Sequence, residues 1–299
     1  MSSSDNPQFE PQPLVSAEPH APLAPAPMPS VPDPLAPTDL TPFRSATLPI
    51  ENPVWNGWDV LLIAVLTFVT MVVLQIVVIA AALWLVYPHS HFGIVAQKPI
   101  ILLVSQFPLY IAVAAYMFLV VEGKYHAPFW KAIAWNWPGS EWKLLGLGAG
   151  MLVVLGLLEN LLPMPKDTPF EHLFDRPRDA YLLAILAVSV GPLMEELFFR
   201  GFLYSVVARR WGAGWGIFLA ALPFALLHLQ QYGYAWGVVL VIFVVGVVCG
   251  VVRALTRSVG ASFLVHAGYN GMQMLIAVVA TQGFRHMPKA LAQLCARTF

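Results

Sequence analysis

The chain has 299 residues, of which 58% are hydrophobic and only 11% charged, and its formal net charge at pH 7 is zero. Soluble domains have roughly 25% charged residues. This composition therefore excludes an ordinary water-soluble protein and predicts a polytopic protein of the lipid bilayer. The balanced charge argues against a nucleic-acid partner, which requires a basic surface. The two cysteines, Cys249 and Cys295, predict neither a disulfide framework nor a cysteine-based zinc site.

Residues 1–54 are predicted to be a disordered, proline-rich tail. Half of the 26 prolines lie in the first 49 residues, among alanine, serine and acidic residues. A segment of this composition buries too little apolar surface to fold. It also has no basic start followed by an apolar stretch, so we expect no signal peptide.

Residues 55–299 are predicted to form an all-α, polytopic transmembrane helical bundle of about seven spans. A helix of about 20 apolar residues crosses a bilayer. The candidate runs are 58–86, 100–121, 144–162, 181–207, 215–229, 236–252 and 261–281. The fifth is short, and a broken or partly submerged helix is an alternative there. The Arg209–Arg210 pair and the expected lack of a signal peptide favour a cytoplasmic N-terminus, although the basic residues are almost evenly divided between the two sides.

Three charged residues interrupt the fourth span, in the stretch GPLMEELFFRG. Each charged side chain at the bilayer centre costs roughly 2.5–3.5 kcal/mol on insertion scales. Glu196 and Arg200 are four residues apart, so they share a helix face and can form an ion pair. Glu195 points about 100° away from Glu196 and has no partner in its own helix. A carboxyl group in this situation suits a general base or acid.

Later spans carry two further polar pairs at helical spacing. Phe224 and His228 lie four residues apart, as do His266 and Asn270. If the three helices face one cavity, a free carboxyl group, two imidazoles and an amide would meet there. Such a set could activate water and stabilise an oxyanion, or bind a metal. Taken singly, each residue could instead form only an interhelical hydrogen bond.

These motifs resemble those of the CAAX protease and bacteriocin-processing (CPBP, or Abi) family of intramembrane endopeptidases. The three elements are EELFFR at 195–200, FALLH at 224–228 and HAGYN at 266–270. They occur in the order typical of that family, each on a hydrophobic span, and the resemblance covers residues 180–282.

The resemblance implies a protease that hydrolyses a peptide bond of a membrane-associated protein or peptide. By motif position, Glu195 would activate the water molecule and His228 would help to hold it. His266 and Asn270 would stabilise the oxyanion of the tetrahedral intermediate.

The remaining motif residues would support this site. The resemblance implies that Glu196 is held by Arg200 as a structural pair, which the helical spacing also indicates, and that Phe224 forms a wall of the cavity.

Two alternatives stay open at this point. The reaction could need no cofactor, or Glu195, His228 and His266 could bind zinc as in a metalloprotease. The helical HExxH signature is absent, which favours the metal-free reaction. The chain could also be a non-catalytic scaffold or immunity protein of the same fold, or a proton-coupled transporter, because intramembrane acidic and histidine side chains also form proton paths.

Overall fold

The computed structural model describes residues 51–164, 173–174 and 176–286. Over these residues the chain is helical and has no strand, so the predicted all-α fold is confirmed. The predicted disordered tail lies outside the described residues except for its last four positions. Its boundary with the membrane domain, placed between residues 54 and 55, stays a prediction.

The described residues form eleven α-helices and two π-helical segments. In chain order they are α1 (Gly57–Leu85), α2 (Phe92–Ala96), α3 (Pro99–Phe118), π1 (Leu119–Lys124), α4 (Phe129–Ala132), α5 (Glu141–Glu159), α6 (Pro177–Val188), α7 (Val190–Glu196), π2 (Leu197–Leu203), α8 (Tyr204–Trp211), α9 (Ala213–Leu226), α10 (Trp236–Thr256) and α11 (Val259–Ala280).

Six helical stretches of the described chain are long and apolar enough to cross a membrane. They are Gly57–Leu85, Pro99–Lys124, Glu141–Glu159, Pro177–Trp211, Trp236–Thr256 and Val259–Ala280. The fifth predicted span corresponds to α9, which has only 14 residues. At 1.5 Å per residue, α9 is about 21 Å long, too short for a hydrocarbon core of about 30 Å. The described residues therefore contain six full-length spans and one short apolar helix.

The spans differ strongly in how far they are covered by protein. In the most apolar stretch of α1 only 11% of the residues are buried, whereas in α10 the share is 61%. Large side chains of α1, such as Phe68, Val73 and Ile76, are more than half exposed. We conclude that α10 lies at the centre of the bundle and that α1 presents apolar side chains to lipid.

Glycines bring α5 and α11 into direct backbone contact. A Cβ atom at Gly148 would lie 2.0 Å from the carbonyl oxygen of Val265, and one at Gly268 would lie 2.4 Å from that of Leu145. No side chain fits at either position while the helices stay where they are. Close approach through small residues is a usual way for membrane helices to pack.

The helical stretch Pro177–Trp211 is not a regular α-helix. After α7 ends at Glu196, residues Leu197–Leu203 form the π-helix π2, and the N–H of Tyr204 donates to the carbonyl of Phe199, five residues earlier. The α-helical spacing predicted for the whole of this span is wrong for π2. Short π-helical segments in α-helices are frequent at functional sites.

The residues that precede α1 are held by side chains from the second half of the chain. Glu51 accepts two hydrogen bonds from Arg253 of α10, at 2.9 and 3.1 Å. Arg209 donates to the carbonyl of Trp55 at 3.4 Å, and the indole ring of Trp55 stacks on Phe202 with 4.3 Å between the ring centroids. These contacts attach the start of the membrane domain to π2, α8 and α10.

Candidate active site

Glu196 and Arg200 form an ion pair that is completely buried. Arg200 Nη1 donates to Glu196 Oε1 at 2.9 Å, and both side chains are 0% exposed. Arg200 Nη2 donates to the carbonyl of Gly246 on α10 at 2.8 Å, and the guanidinium lies 4.7 Å over the ring of Phe224. The structure thus has the pair that the spacing indicated, and the pair connects π2 to α9 and α10.

Two side chains of α11 complete the surroundings of Glu196. The hydroxyl of Ser262 donates to Glu196 Oε2 at 2.5 Å, and His266 Nδ1 lies 2.9 Å from Glu196 Oε1. Because a carboxylate only accepts hydrogen bonds, Nδ1 of His266 is the donor. This contact orients the ring so that Nε2 faces the neighbouring carboxylate, Glu195.

Glu195 lies near the imidazole rings of both His228 and His266. Its Oε2 is 3.7 Å from Nε2 of His266, its Oε1 is 4.0 Å from Nε2 of His228, and its side chain is 30% exposed. Direct charge-assisted hydrogen bonds measure about 2.7–2.9 Å, so these separations are too long for direct bonds. They are short enough for one water molecule to contact all three groups. The structure therefore brings together the three residues that the sequence placed on separate spans.

His228 and Phe224 sit at the end of α9. Because α9 ends at Leu226, His228 lies in the turns that follow the helix, and not inside a span as predicted. Its Nδ1 is 2.8 Å from the carbonyl oxygen of Phe224, which fixes Nδ1 as the donor and leaves Nε2 toward Glu195. The ring of Phe224 packs edge-on against both His228 and His266, with centroids 5.1 and 5.7 Å apart. Phe224 thus lies beside both imidazoles.

Asn270 lies one turn after His266 on α11 and borders the same cavity. Its Nδ2 donates to the carbonyl of Ala187 at 2.7 Å, which connects α11 to α6. The amide nitrogen carries two hydrogens, so one hydrogen is left for another acceptor.

These side chains form the polar end of a cavity of about 620 Å³. Ligand pockets commonly have volumes of about 300–1,000 Å³. The apolar part of the remaining walls comes from α3, α6, π2, α10 and the turn after α9, and it includes Leu102, Leu103, Leu183, Leu186, Phe199, Leu227, Ile242 and Val245. Polar side chains also line these walls, namely Gln106, Tyr110, Gln230, Gln231 and Tyr232. The cavity is therefore large enough for a segment of a substrate, with apolar and polar wall residues around it and Glu195 among them.

Sequence reasoning missed two residues near this site. Ser262 precedes His266 by four positions, so the helical spacing on α11 was a signal that could have found it. Tyr110 of α3 borders the cavity, and its hydroxyl lies 3.5 Å from where a Cβ atom of Gly191 would stand. No local pattern connects Tyr110 to the motifs, since α3 lies some 80 residues earlier in the chain.

Among the described residues, one group of three potential metal ligands lies within 4.8 Å, namely Glu196, Cys249 and His266. This is not the predicted set of Glu195, His228 and His266. The group fits a metal poorly, because both oxygens of Glu196 already accept hydrogen bonds and the guanidinium of Arg200 would repel a cation.

Comparison with known proteins identifies the family of this site. No curated protein and no solved structure matches the chain. Residues 177–272, which contain all three motifs, match the family model described as type II CAAX prenyl endopeptidase Rce1-like. The resemblance to the CAAX protease family is thereby confirmed for these residues, about a third of the chain. This match and the six membrane-length helices among the described residues support an integral multi-pass membrane protein of the CAAX-protease type.

Proposed function

We propose that this protein is an intramembrane endopeptidase that hydrolyses a peptide bond of a membrane-associated protein or peptide with a water molecule activated by Glu195. One observation carries the proposal. A partly exposed carboxylate stands 3.7 and 4.0 Å from two imidazole nitrogens, at the end of a cavity inside apolar helices.

In the first step, the water molecule lies between Glu195 and the two imidazoles. The Nδ1 hydrogen of His228 is engaged by the carbonyl of Phe224, so its Nε2 accepts one hydrogen bond from the water, and the other hydrogen of the water points to Glu195. Glu195 takes one proton from the water while the water oxygen bonds to the carbonyl carbon of the substrate.

In the second step, the carbonyl oxygen carries the negative charge of the tetrahedral intermediate. The second amide hydrogen of Asn270 stabilises this oxyanion. His266 does so as an imidazolium, with a proton taken from solvent before the reaction on Nε2 and with Nδ1 still donating to Glu196. Glu195 then passes its proton to the nitrogen of the scissile bond. The carbon–nitrogen bond breaks and leaves a carboxylic acid and an amine.

The reaction proposed here needs no metal. Tetrahedral zinc with bonds of about 2.0–2.1 Å places its ligand atoms about 3.3 Å apart. The separations of 3.7 and 4.0 Å around Glu195 lie between this value and the roughly 4.6 Å expected for two groups bridged by one water. The metal-free reaction is therefore proposed from the absence of the helical HExxH signature. We retain the cytoplasmic orientation of the N-terminus as part of the proposal, on the sequence argument alone.

The test is a peptidase assay with detergent-purified protein and a set of helical reporter peptides. We expect Glu195→Gln to lower kcat by about 10²- to 10⁴-fold, the usual contribution of a general base. The matched control is Glu141→Gln, because Glu141 only accepts from the backbone N–H of Gly139 at the start of α5. This control should keep its activity.

Two outcomes would contradict the proposal. Wild-type protein that leaves every reporter intact, while liposomes show a proton flux that depends on Glu195, would favour a transporter. An unchanged cellular phenotype for Glu195→Gln would favour a non-catalytic scaffold.

A further inference from the structure

Ser262 occupies a position from which it can control the reactive imidazole without touching it. It lies on α11, four residues before His266, and is 0% exposed. We infer that Ser262 is a positioning residue: it holds the carboxylate of Glu196 in the orientation that aims His266 at the cavity. This inference rests on the proposed function, because it names a residue that supports the same site.

The hydroxyl hydrogen of Ser262 goes to Glu196. A hydroxyl has one hydrogen to donate, and two acceptors are within reach: Glu196 Oε2 at 2.5 Å and the carbonyl of Cys249 at 3.0 Å. The carboxylate is nearer and charged, and hydrogen bonds to charged acceptors are about twice as strong as neutral ones. Ser262 is therefore the group that fixes Oε2.

The other oxygen of Glu196 serves two partners at once. Oε1 accepts from Nη1 of Arg200 and from Nδ1 of His266, each at 2.9 Å. This shared arrangement depends on the rotation of the carboxylate about its last bond. Ser262, by holding Oε2, determines that rotation.

Arg200 offers Glu196 a competing arrangement. Its Nε is buried and has no hydrogen-bond partner in the described part of the chain. Without the hydroxyl of Ser262, the carboxylate gains most by turning into a two-bond fork with the guanidinium, a geometry that arginine and carboxylate groups favour. That rotation withdraws Oε1 from His266.

The consequence for His266 is chemical. The bond from Nδ1 to Glu196 selects the tautomer whose Nε2 faces Glu195, 3.7 Å away. When that bond is lost, the ring can turn or change tautomer. Ser262 does not border the cavity, so it acts only through Glu196.

The first experiment measures kcat and KM separately for Ser262→Ala. We expect kcat to fall on the order of 10- to 100-fold, as when the partner that orients a histidine is removed. KM should stay within about threefold, because Ser262 makes no contact with substrate. Ser262→Thr, which keeps the hydroxyl, should recover most of the lost kcat.

The matched control is Ser205→Ala. Ser205 is also a buried serine in this half of the bundle, and its hydroxyl donates to the backbone carbonyl of Gly201 at 2.7 Å. Its truncation should leave kcat unchanged. An equal loss of kcat in both variants would mean that Ser262 acts through general packing, which overturns the inference.

The second experiment does not depend on activity. It uses ¹⁵N NMR of histidine-labelled protein at a pH where the ring is neutral. The signal of His266 is identified as the one that disappears in His266→Asn. In the wild-type protein this signal should report a ring protonated at Nδ1. In Ser262→Ala this signal should move toward a mixture of tautomers. An unchanged signal would overturn the inference.

If Ser262→Ala does not fold, Ser262→Cys, which has similar volume and a weak donor, takes its place with the same expectation. If wild-type protein cleaves nothing, the proposed function fails, and the NMR comparison still decides whether Ser262 orients His266.

Discussion

The two adjacent glutamates stand in opposite surroundings. Glu196 is completely buried, and three donors occupy its two oxygens. Glu195, one position earlier, is 30% exposed in a cavity and reaches its nearest nitrogens only at 3.7 and 4.0 Å. The carboxylate of Glu196 is out of reach of a substrate because it is fully buried, whereas that of Glu195 borders the cavity. The comparison teaches that donor count and burial, more than residue type, separate a supporting carboxylate from a reactive one.

The most severe way to test this contrast is to remove the charge from the buried carboxylate. We expect Glu196→Gln to lower the free energy of unfolding by about 3–5 kcal/mol, because it leaves the buried guanidinium of Arg200 without a counter-charge. Thermal unfolding in detergent checks this value. Glu195→Gln should unfold near the wild-type temperature. Equal destabilisation by both substitutions would remove the distinction between the two sites.

A second test displaces α11, the helix that carries His266, which lies beside both glutamates. Gly148→Ala places a methyl group 2.0 Å from the carbonyl oxygen of Val265, so α11 has to shift. We expect a stability loss of about 1–3 kcal/mol, as for other overpacked interiors, together with loss of peptidase activity as His266 is displaced.

Gly150 of the same helix provides the control for that test. No atom lies within 4 Å of the position of its Cβ. Gly150→Ala should leave activity unchanged and keep or slightly raise the unfolding temperature, because alanine favours helix more than glycine does. Matching losses in Gly148→Ala and Gly150→Ala would contradict the role of the close contact.

A smaller effect is expected when His228, one of the two imidazoles beside the proposed water molecule, is replaced. His228→Asn takes away the Nε2 that lies 4.0 Å from Glu195. We expect kcat to fall about tenfold, which corresponds to about 1.4 kcal/mol in the barrier, and the unfolding temperature to change little. Steady-state kinetics beside a thermal scan checks both parts. A large loss of stability with unchanged kcat would assign His228 to packing.

The smallest expected effect comes from metal chelation. Incubation with a strong chelator, followed by its removal, should leave peptidase activity within about twofold of the untreated protein, because a general-base reaction requires no Lewis acid. Metal analysis of the same sample serves as the control. Activity that disappears with the chelator and returns with zinc would assign Glu195 and the two histidines to a metal site.

Much of this site follows from spacing along the sequence. Charged residues in apolar spans are costly, so Glu195, Glu196 and Arg200 stand out. The four-residue spacing of Glu196 and Arg200 corresponds to their contact in the structure. The same spacing rule placed Phe224 beside His228, and these rings do pack together.

Other features depend on contacts between distant segments, for which one sequence carries no local signal. Serine is common and costs little in a membrane helix, so the residue type of Ser262 did not draw attention to the helix face that it shares with His266. Tyr110 reaches the cavity only because α3 packs near α6 and α7. The π-helix was missed because an argument from periodicity assumes α-helical turns. The length of α9 was overestimated because the apolar run from 215 to 229 continues past the end of the helix.

The contact between Glu51 and Arg253 bears on the smallest part of the chain that can fold independently. Arg253 is 1% exposed and belongs to the segment that matches the family model, but its counter-charge comes from a residue far upstream of that segment. A fragment that begins at residue 55, or one limited to the matched residues, would leave the buried guanidinium of Arg253 without its carboxylate, which is unfavourable. We therefore predict that a fragment beginning at Glu51 is more stable than one beginning at residue 55, which a comparison of their unfolding temperatures in detergent would check.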